Sequence, residues 1–246
     1  MSSQTEDRVA LVTGGAKRVG RAIVERLANA GADIVFSYLG SQSEAKELES
    51  AIVAQGRRCR AVRADLTEPQ AAVQSIAEAI VREFGKLDVL VNNASIYEPT
   101  PLDQFDPAVA RKMWAIHVES PLLLCRRLAP LLRASRGHII NMVDLLAERP
   151  WPRYLAYSAS KAALWNLTLG LARELAPEVT VNGIAPGVVE WAMDYPQVER
   201  EKYLSRVPLA RAGTPQDVAE TVHFLCAGGS YITGQIIRLD GGRSIT

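Results

Sequence analysis

A chain of 246 residues is long enough for one sizeable α/β domain, and its 48% hydrophobic residues can fill a large core. Its 28 basic and 27 acidic residues nearly cancel, leaving no charge excess to draw nucleic acid or an anionic membrane surface. Cys59, Cys125 and Cys226 are scattered, residues 1–8 are polar, and no apolar run approaches the roughly 18 residues of a membrane span. A metal site, a disulfide framework and a signal peptide are therefore not expected, and a reducing, cytoplasmic setting is.

Short β-rich runs and longer segments of helical periodicity alternate from end to end. Strands are expected at residues 9–13, 33–38, 60–64, 89–92, 138–143, 179–184 and 236–239. Helices are expected between them at 19–30, 43–55, 69–84, 107–132, 154–176 and 215–226. Pro69 and Pro215 fall in first turns, Thr67 and Thr214 read as caps, and Gly31 and Gly56 follow helix ends. Val89-Leu90-Val91 and Ile139-Ile140 are continuous apolar runs, as in strands covered on both faces. The pattern predicts one domain over 1–246: a doubly wound parallel sheet of about seven strands with helices on both faces. The long irregular stretch 188–208, with Trp191, Met193, Tyr195 and Tyr203, is expected to be either a lid or a subunit contact.

The residues that carry chemistry leave the expected strand ends, where ligands bind in such sheets. Thr13-Gly14-Gly15-Ala16-Lys17-Arg18-Val19-Gly20 joins the first strand to the first helix. Glycines there let the backbone approach a pyrophosphate, and the helix start supplies free amides and a positive dipole. Lys17 and Arg18 are disfavoured at a helix start unless an anion binds; otherwise they are two solvated side chains. The second strand ends at Ser37-Tyr38-Leu39-Gly40-Ser41 without an acid to repel a 2′-phosphate, which favours NADP(H) over NAD. Further on, Asp144-x12-Tyr157-x3-Lys161 places Tyr157 and Lys161 one turn apart on a helix face. An ammonium so close is expected to lower the tyrosine pKa from its usual value of about 10.

Together these segments resemble the short-chain dehydrogenase/reductase superfamily over essentially the whole chain. Its usual loop is T-G-x-x-x-G-x-G, and here Arg18 takes the middle glycine. The resemblance implies cofactor contacts at Gly14, Lys17, Arg18, Val19, Tyr38 and Ser41, and at Asp65-Leu66 beside the adenine. It also implies them at Asn93-Ala94-Ser95, where Ser95 replaces the last glycine of N-N-A-G. Tyr157, Lys161, Asn182 and Pro186-Gly187-Val188 belong to the nicotinamide end, and Lys161 would hold the ribose there. Leu239-Asp240-Gly241-Gly242 matches the family's last strand.

The superfamily normally carries serine at the position of Asp144, and an aspartate resembles the pteridine and dihydromonapterin reductases. Those enzymes also use a G-x-x-x-R-x-G loop with its arginine toward the phosphate. Their second arginine beyond the second strand is Gly40 here, which leaves Ser41 and Arg18 to carry more of that recognition. Tyr97 occupies the aromatic position over the pterin ring, or else packs under its loop, and Ser95 would lie at the pterin edge. The resemblance thus implies a pterin site of Ser95, Tyr97, Asp144 and Tyr157, with Asp144, Tyr157 and Lys161 catalytic. Asp144 could accept from ring N–H groups or donate a proton, or simply cap backbone. His117 stands where many relatives place asparagine to hold a water; it could do likewise or be a core histidine. The implied activity is hydride transfer from NADPH to a dihydropterin such as dihydromonapterin or dihydrobiopterin, with dihydrofolate a further candidate, by a homotetramer. A carbonyl reductase of 3-oxoacyl thioesters or sugars, and an NADP(H)-sensing binder, are the alternatives.

Overall fold

The computed structural model describes residues 8–191 and 196–246; Met193 and Tyr195 of the expected lid lie outside the described residues. Seven parallel strands run β1 (Val9–Val12), β2 (Asp33–Tyr38), β3 (Cys59–Arg63), β4 (Val89–Asn92), β5 (His138–Met142), β6 (Thr180–Pro186) and β7 (Ile236–Leu239). Their spatial order is β3-β2-β1-β4-β5-β6-β7, so the order reverses between β1 and β4 and opens a crevice at their carboxyl ends. The helices are α1 (Arg18–Asn29), α2 (Gln42–Ala54), α3 (Pro69–Glu83), α4 (Pro107–Trp114), α5 (Ser120–Ala134), α6 (Leu155–Glu174), α7 (Gln197–Leu204) and α8 (Pro215–Ala227).

Alternate residues of each strand feed two cores. Leu11, Leu90, Ile139 and Val181 pack with Ile76, Leu128 and Leu171 of α3, α5 and α6. Val12, Val91, Ile140 and Ile184 pack on the other face with Ile23, Leu48 and Val222 of α1, α2 and α8. Burial of that kind is worth roughly 25 cal/mol per Å² of apolar surface, and it locks the register on which the strand-end residues depend.

Three expectations need correction. Thr214 does cap α8, in a reciprocal box with Asp217, but Thr67 caps nothing: its hydroxyl goes to Asp65 at 2.7 Å and Glu68 precedes α3. The expected helix 107–132 contains a π-helical turn at Ala115–Glu119, which divides α4 from α5. The stretch 188–208 holds the helix α7, which buries none of its residues, so no apolar stripe announced it. Among the described residues no helix is long and apolar enough to cross a membrane.

Candidate active site

The loop after β1 and the loop after β4 are stitched together. Thr13 Oγ1 accepts from the amides of Asn93 and Ala94 at 2.9 and 3.0 Å, and Asn93 Nδ2 donates to the Thr13 carbonyl at 2.8 Å. Gly14 has φ +64°, and a Cβ on Gly20 would run into the Gly14 carbonyl and sit 2.7 Å from Asn93 Nδ2. Only glycines permit this approach. Arg18 also takes a left-handed backbone, φ 53°, a conformation that costs a side-chain residue roughly 1–2 kcal/mol. Helix α1 then begins with no side-chain cap and no acid in its first turn, so its amides stay open to an anion.

Around that helix start lies a cleft of about 750 Å³. It is lined by Gly14, Lys17, Arg18, Val19, Tyr38, Asp65, Leu66, Asn93, Ala94 and Ser95, and further along by Asp144, Tyr157, Lys161, Pro186 and Gly187. Three residues expected here are elsewhere. Ser41 precedes α2 as its cap residue, makes no side-chain cap bond, and lines no part of the cleft. Asn182 is fully buried in β6, its amide spent on the Ile232 carbonyl and the Gln235 N–H. Val188 faces a second cavity instead. Lys17 and Arg18 do not stand free: they pair with Glu44 at 2.6 Å and Glu190 at 2.8 Å, surface contacts worth about 0–1 kcal/mol each.

The second cavity, about 700 Å³, shares Arg18, Asp144, Tyr157, Pro186 and Gly187 with the cleft. Tyr97, Trp151, Trp191 and Tyr203 give it aromatic walls. Tyr97 stacks on Tyr154 at 4.3 Å and meets Tyr157 at right angles at 4.7 Å. Sequence reasoning missed Tyr154 and Trp151, which carry no spacing signal.

At the seam, Asp144 does two things at once. Its Oδ1 accepts from the Leu146 amide at 2.8 Å, capping a short 3-10 turn, and its Oδ2 accepts from the Tyr157 hydroxyl at 2.7 Å. Burial raises the Asp144 pKa against those hydrogen bonds. The expected lowering of the Tyr157 pKa is overturned: burial first, then the Asp144 charge, hold it well above 10. Lys161 is not the controlling charge, because its ammonium is turned to the Met142 carbonyl at 2.9 Å and lies 5.7 Å from the Tyr157 ring centre. Burial lowers the Lys161 pKa to about 8.

His117 sits in the π-turn, 1% exposed. Ser160 Oγ donates to the Tyr157 carbonyl at 2.7 Å, so it accepts from His117 Nδ1 at 2.8 Å. That leaves Nε2 as an acceptor for Ser95 Oγ at 2.9 Å and the Ile96 amide at 3.3 Å. The ring is thus neutral, with burial pushing its pKa down to about 2. It ties the loop bearing Ser95 and Tyr97 to the helix bearing Tyr157. Ser160, three residues beyond Tyr157 on α6, was findable from helical spacing but was not singled out.

With this geometry in hand, comparison with known proteins is specific. Residues 14–244 match the family model described as enoyl-(acyl carrier protein) reductase. An uncharacterized oxidoreductase of Methylorubrum extorquens is 35% identical over 98% of this chain and 99% of its own. The 3-oxoacyl-[acyl-carrier-protein] reductase FabG of Staphylococcus aureus is 35% identical over 95% of this chain and 96% of its own. Among solved structures, a blue fluorescent protein from a metagenomic library in complex with NADPH superposes with TM-score 0.91 at 36% identity, covering 98% of this chain and 99% of that one. A short-chain dehydrogenase/reductase from Serratia marcescens superposes at 0.92 with 33% identity and the same coverage. Crevice, glycine loop and Tyr157–Lys161 pair agree with these matches: the chain belongs to the short-chain dehydrogenase/reductase superfamily of oxidoreductases.

Proposed function

We propose that the protein is an NADPH-dependent reductase of a dihydropterin-like ring, of the dihydromonapterin, dihydrobiopterin or dihydrofolate type. NADP(H) fits the first cleft: the uncapped α1 start accepts the pyrophosphate, and Lys17 and Arg18 stand beside a β2 end that carries no acid. The solved NADPH complex of a relative 36% identical supports the same assignment. When bound, NADPH supplies the hydride.

The observation that carries the substrate reading is the Asp144–Tyr157 hydrogen bond at the seam of the two cavities. Tyr157, with its raised pKa, remains a neutral phenol across the working range and can protonate a ring nitrogen next to the reduced carbon. Asp144 accepts from the N–H groups of an amino-pyrimidine edge and, protonated, can return the proton to Tyr157. Lys161 lines the cleft with its ammonium on the Met142 carbonyl, within the part that would take the nicotinamide ribose, and His117 fixes the Ser95 hydroxyl. A carboxylate here would repel the alkoxide that forms from a ketone.

A second reading, reduction of a 3-oxoacyl thioester, draws on the 35% identity to FabG. Loss of NADPH absorbance with a dihydropterin, dihydrofolate and a 3-oxoacyl thioester in parallel separates the two. Asp144→Ser is expected to lower pterin turnover about 10²-fold or more while admitting ketones; unchanged pterin turnover would remove Asp144 from the mechanism. We place the enzyme in the cytoplasm as a homotetramer. Half-exposed Trp114, Leu122 and Leu155 on α4, α5 and α6 support a contact there, and sedimentation would give the mass.

A further inference from the structure

Three arginines at the mouth of the second cavity have no part in this mechanism. Arg149 follows the 3-10 turn after β5, Arg206 follows α7, and Arg243 follows β7, so three separate stretches deliver a guanidinium to one rim. Thr246 ties the three stretches together. Its main-chain oxygen accepts from Arg149 Nη1 at 3.0 Å, and its hydroxyl lies 2.8 Å from the Arg206 carbonyl and 3.1 Å from that of Arg243.

On the cofactor side, Lys17 and Arg18 each pair with a glutamate. Among the described residues neither Arg149, Arg206 nor Arg243 pairs with an Asp or Glu side chain. Arg243 lies over the Tyr203 ring at 5.6 Å, and its Nε is buried with no acceptor among the described residues. A buried donor left unpaired is costly unless a ligand supplies the acceptor. Guanidinium forks match carboxylate and phosphate oxygens. The rim shares its cavity with Asp144 and Tyr157, and Trp151 and Tyr203 help to wall that cavity.

Resting on the heterocycle reading above, we propose that this rim is an oxyanion subsite, and that the substrate is a flat nitrogen heterocycle bearing a terminal carboxylate or phosphate. Neutral dihydropterins are then poor stand-ins for it.

Calorimetric titration of the NADP⁺-loaded enzyme with folate and with folate dimethyl ester compares the same ring and linker with and without charge. Folate is expected to bind about tenfold more tightly, with the gap narrowing as salt is added. Arg206 is exposed, so Arg206→Gln leaves the core alone; it is expected to bring acid and ester within about twofold, and Arg243→Gln to act alike. A second arm compares dihydroneopterin with its phosphate. A gap there and not for folate supports the subsite and assigns it to phosphate. Equal binding of charged and neutral partners in both arms, no binding of any of the four, or a gap that survives both variants overturns it. NADPH consumption reads the reductase assignment separately. A charge gap with no pterin turnover removes the reductase reading and keeps the subsite, whereas pterin turnover with no gap does the reverse.

Discussion

The cleft over β1 to β4 and the cavity over β5 to β7 meet at Asp144 and Tyr157 but are built in different ways. The cleft is made of backbone: Gly14, Gly20, the open amides of α1, and the Thr13–Asn93 stitch. The cavity is made of side chains, aromatic and basic, on loops whose partners are far apart in the chain. Backbone sites recognise what is common to a superfamily, and side-chain sites recognise what is particular to one member. Mutations on the two sides should therefore fail differently.

The largest effect is expected at the seam. Tyr157→Phe removes the hydroxyl that donates to Asp144, and turnover should fall by about 10²–10⁴-fold. Single-turnover kinetics would check it, and a fall under tenfold would place the proton source elsewhere. Gly20→Ala comes next. Its Cβ would meet the Gly14 carbonyl and Asn93 together, an overpacking cost of typically 1–3 kcal/mol. NADPH affinity and thermal stability should drop together. A variant that lost neither would show that the stitch is not rigid.

His117 tests the link between the halves. His117→Ala strips the Ser95 hydroxyl, the Ile96 amide and Ser160 of a shared partner. Substrate KM should rise about tenfold or more while NADPH binding holds to within about threefold. Because His117 stays neutral, no activity change near pH 6 to 7 should trace to it. The pH response should come from Lys161 instead. Its pKa in the free enzyme is lowered to about 8, so the ammonium is present below that pH and lost above it. The value of kcat/KM for NADPH, which reports free enzyme, should then decline as pH rises past about 8. A flat profile up to pH 10 would contradict the burial argument.

The same contrast explains what could be read in advance. The glycine loop and the Asp144–Tyr157–Lys161 spacing are local, and local backbone geometry leaves a local pattern. The Tyr157 pKa went the other way because burial, and then the Asp144 charge, raise it, and spacing on a helix face shows neither these nor that Lys161 points to Met142. Ser41 and Asn182 matched by position, yet one precedes a helix and the other is buried within β6, its amide spent on the segment before β7. The arginine rim had no signature, since 97 positions separate Arg149 from Thr246 and only the sheet order joins them.

The smallest effect sits at Arg18, where conformation and charge can be separated. Its left-handed backbone, at a position the superfamily usually gives to glycine, carries a strain of roughly 1–2 kcal/mol. Arg18→Gly should relieve that strain, although the freer unfolded chain returns about 0.4–1 kcal/mol of it, for a net stabilisation of roughly 0–1.6 kcal/mol. Arg18→Ala keeps the strain and loses only the cation. Both variants should weaken NADPH relative to NADH, because both lack the charge proposed to meet the 2′-phosphate. Only the glycine variant should melt higher than the parent. If the alanine variant melts equally high, the backbone is not strained, and the arginine is retained for its pairing with Glu190 rather than held against its conformational preference by the cofactor. If NADPH and NADH weaken alike in both, the phosphate is recognised by Lys17 and the α1 amides alone, and the backbone plan of the cleft extends to its cofactor preference as well.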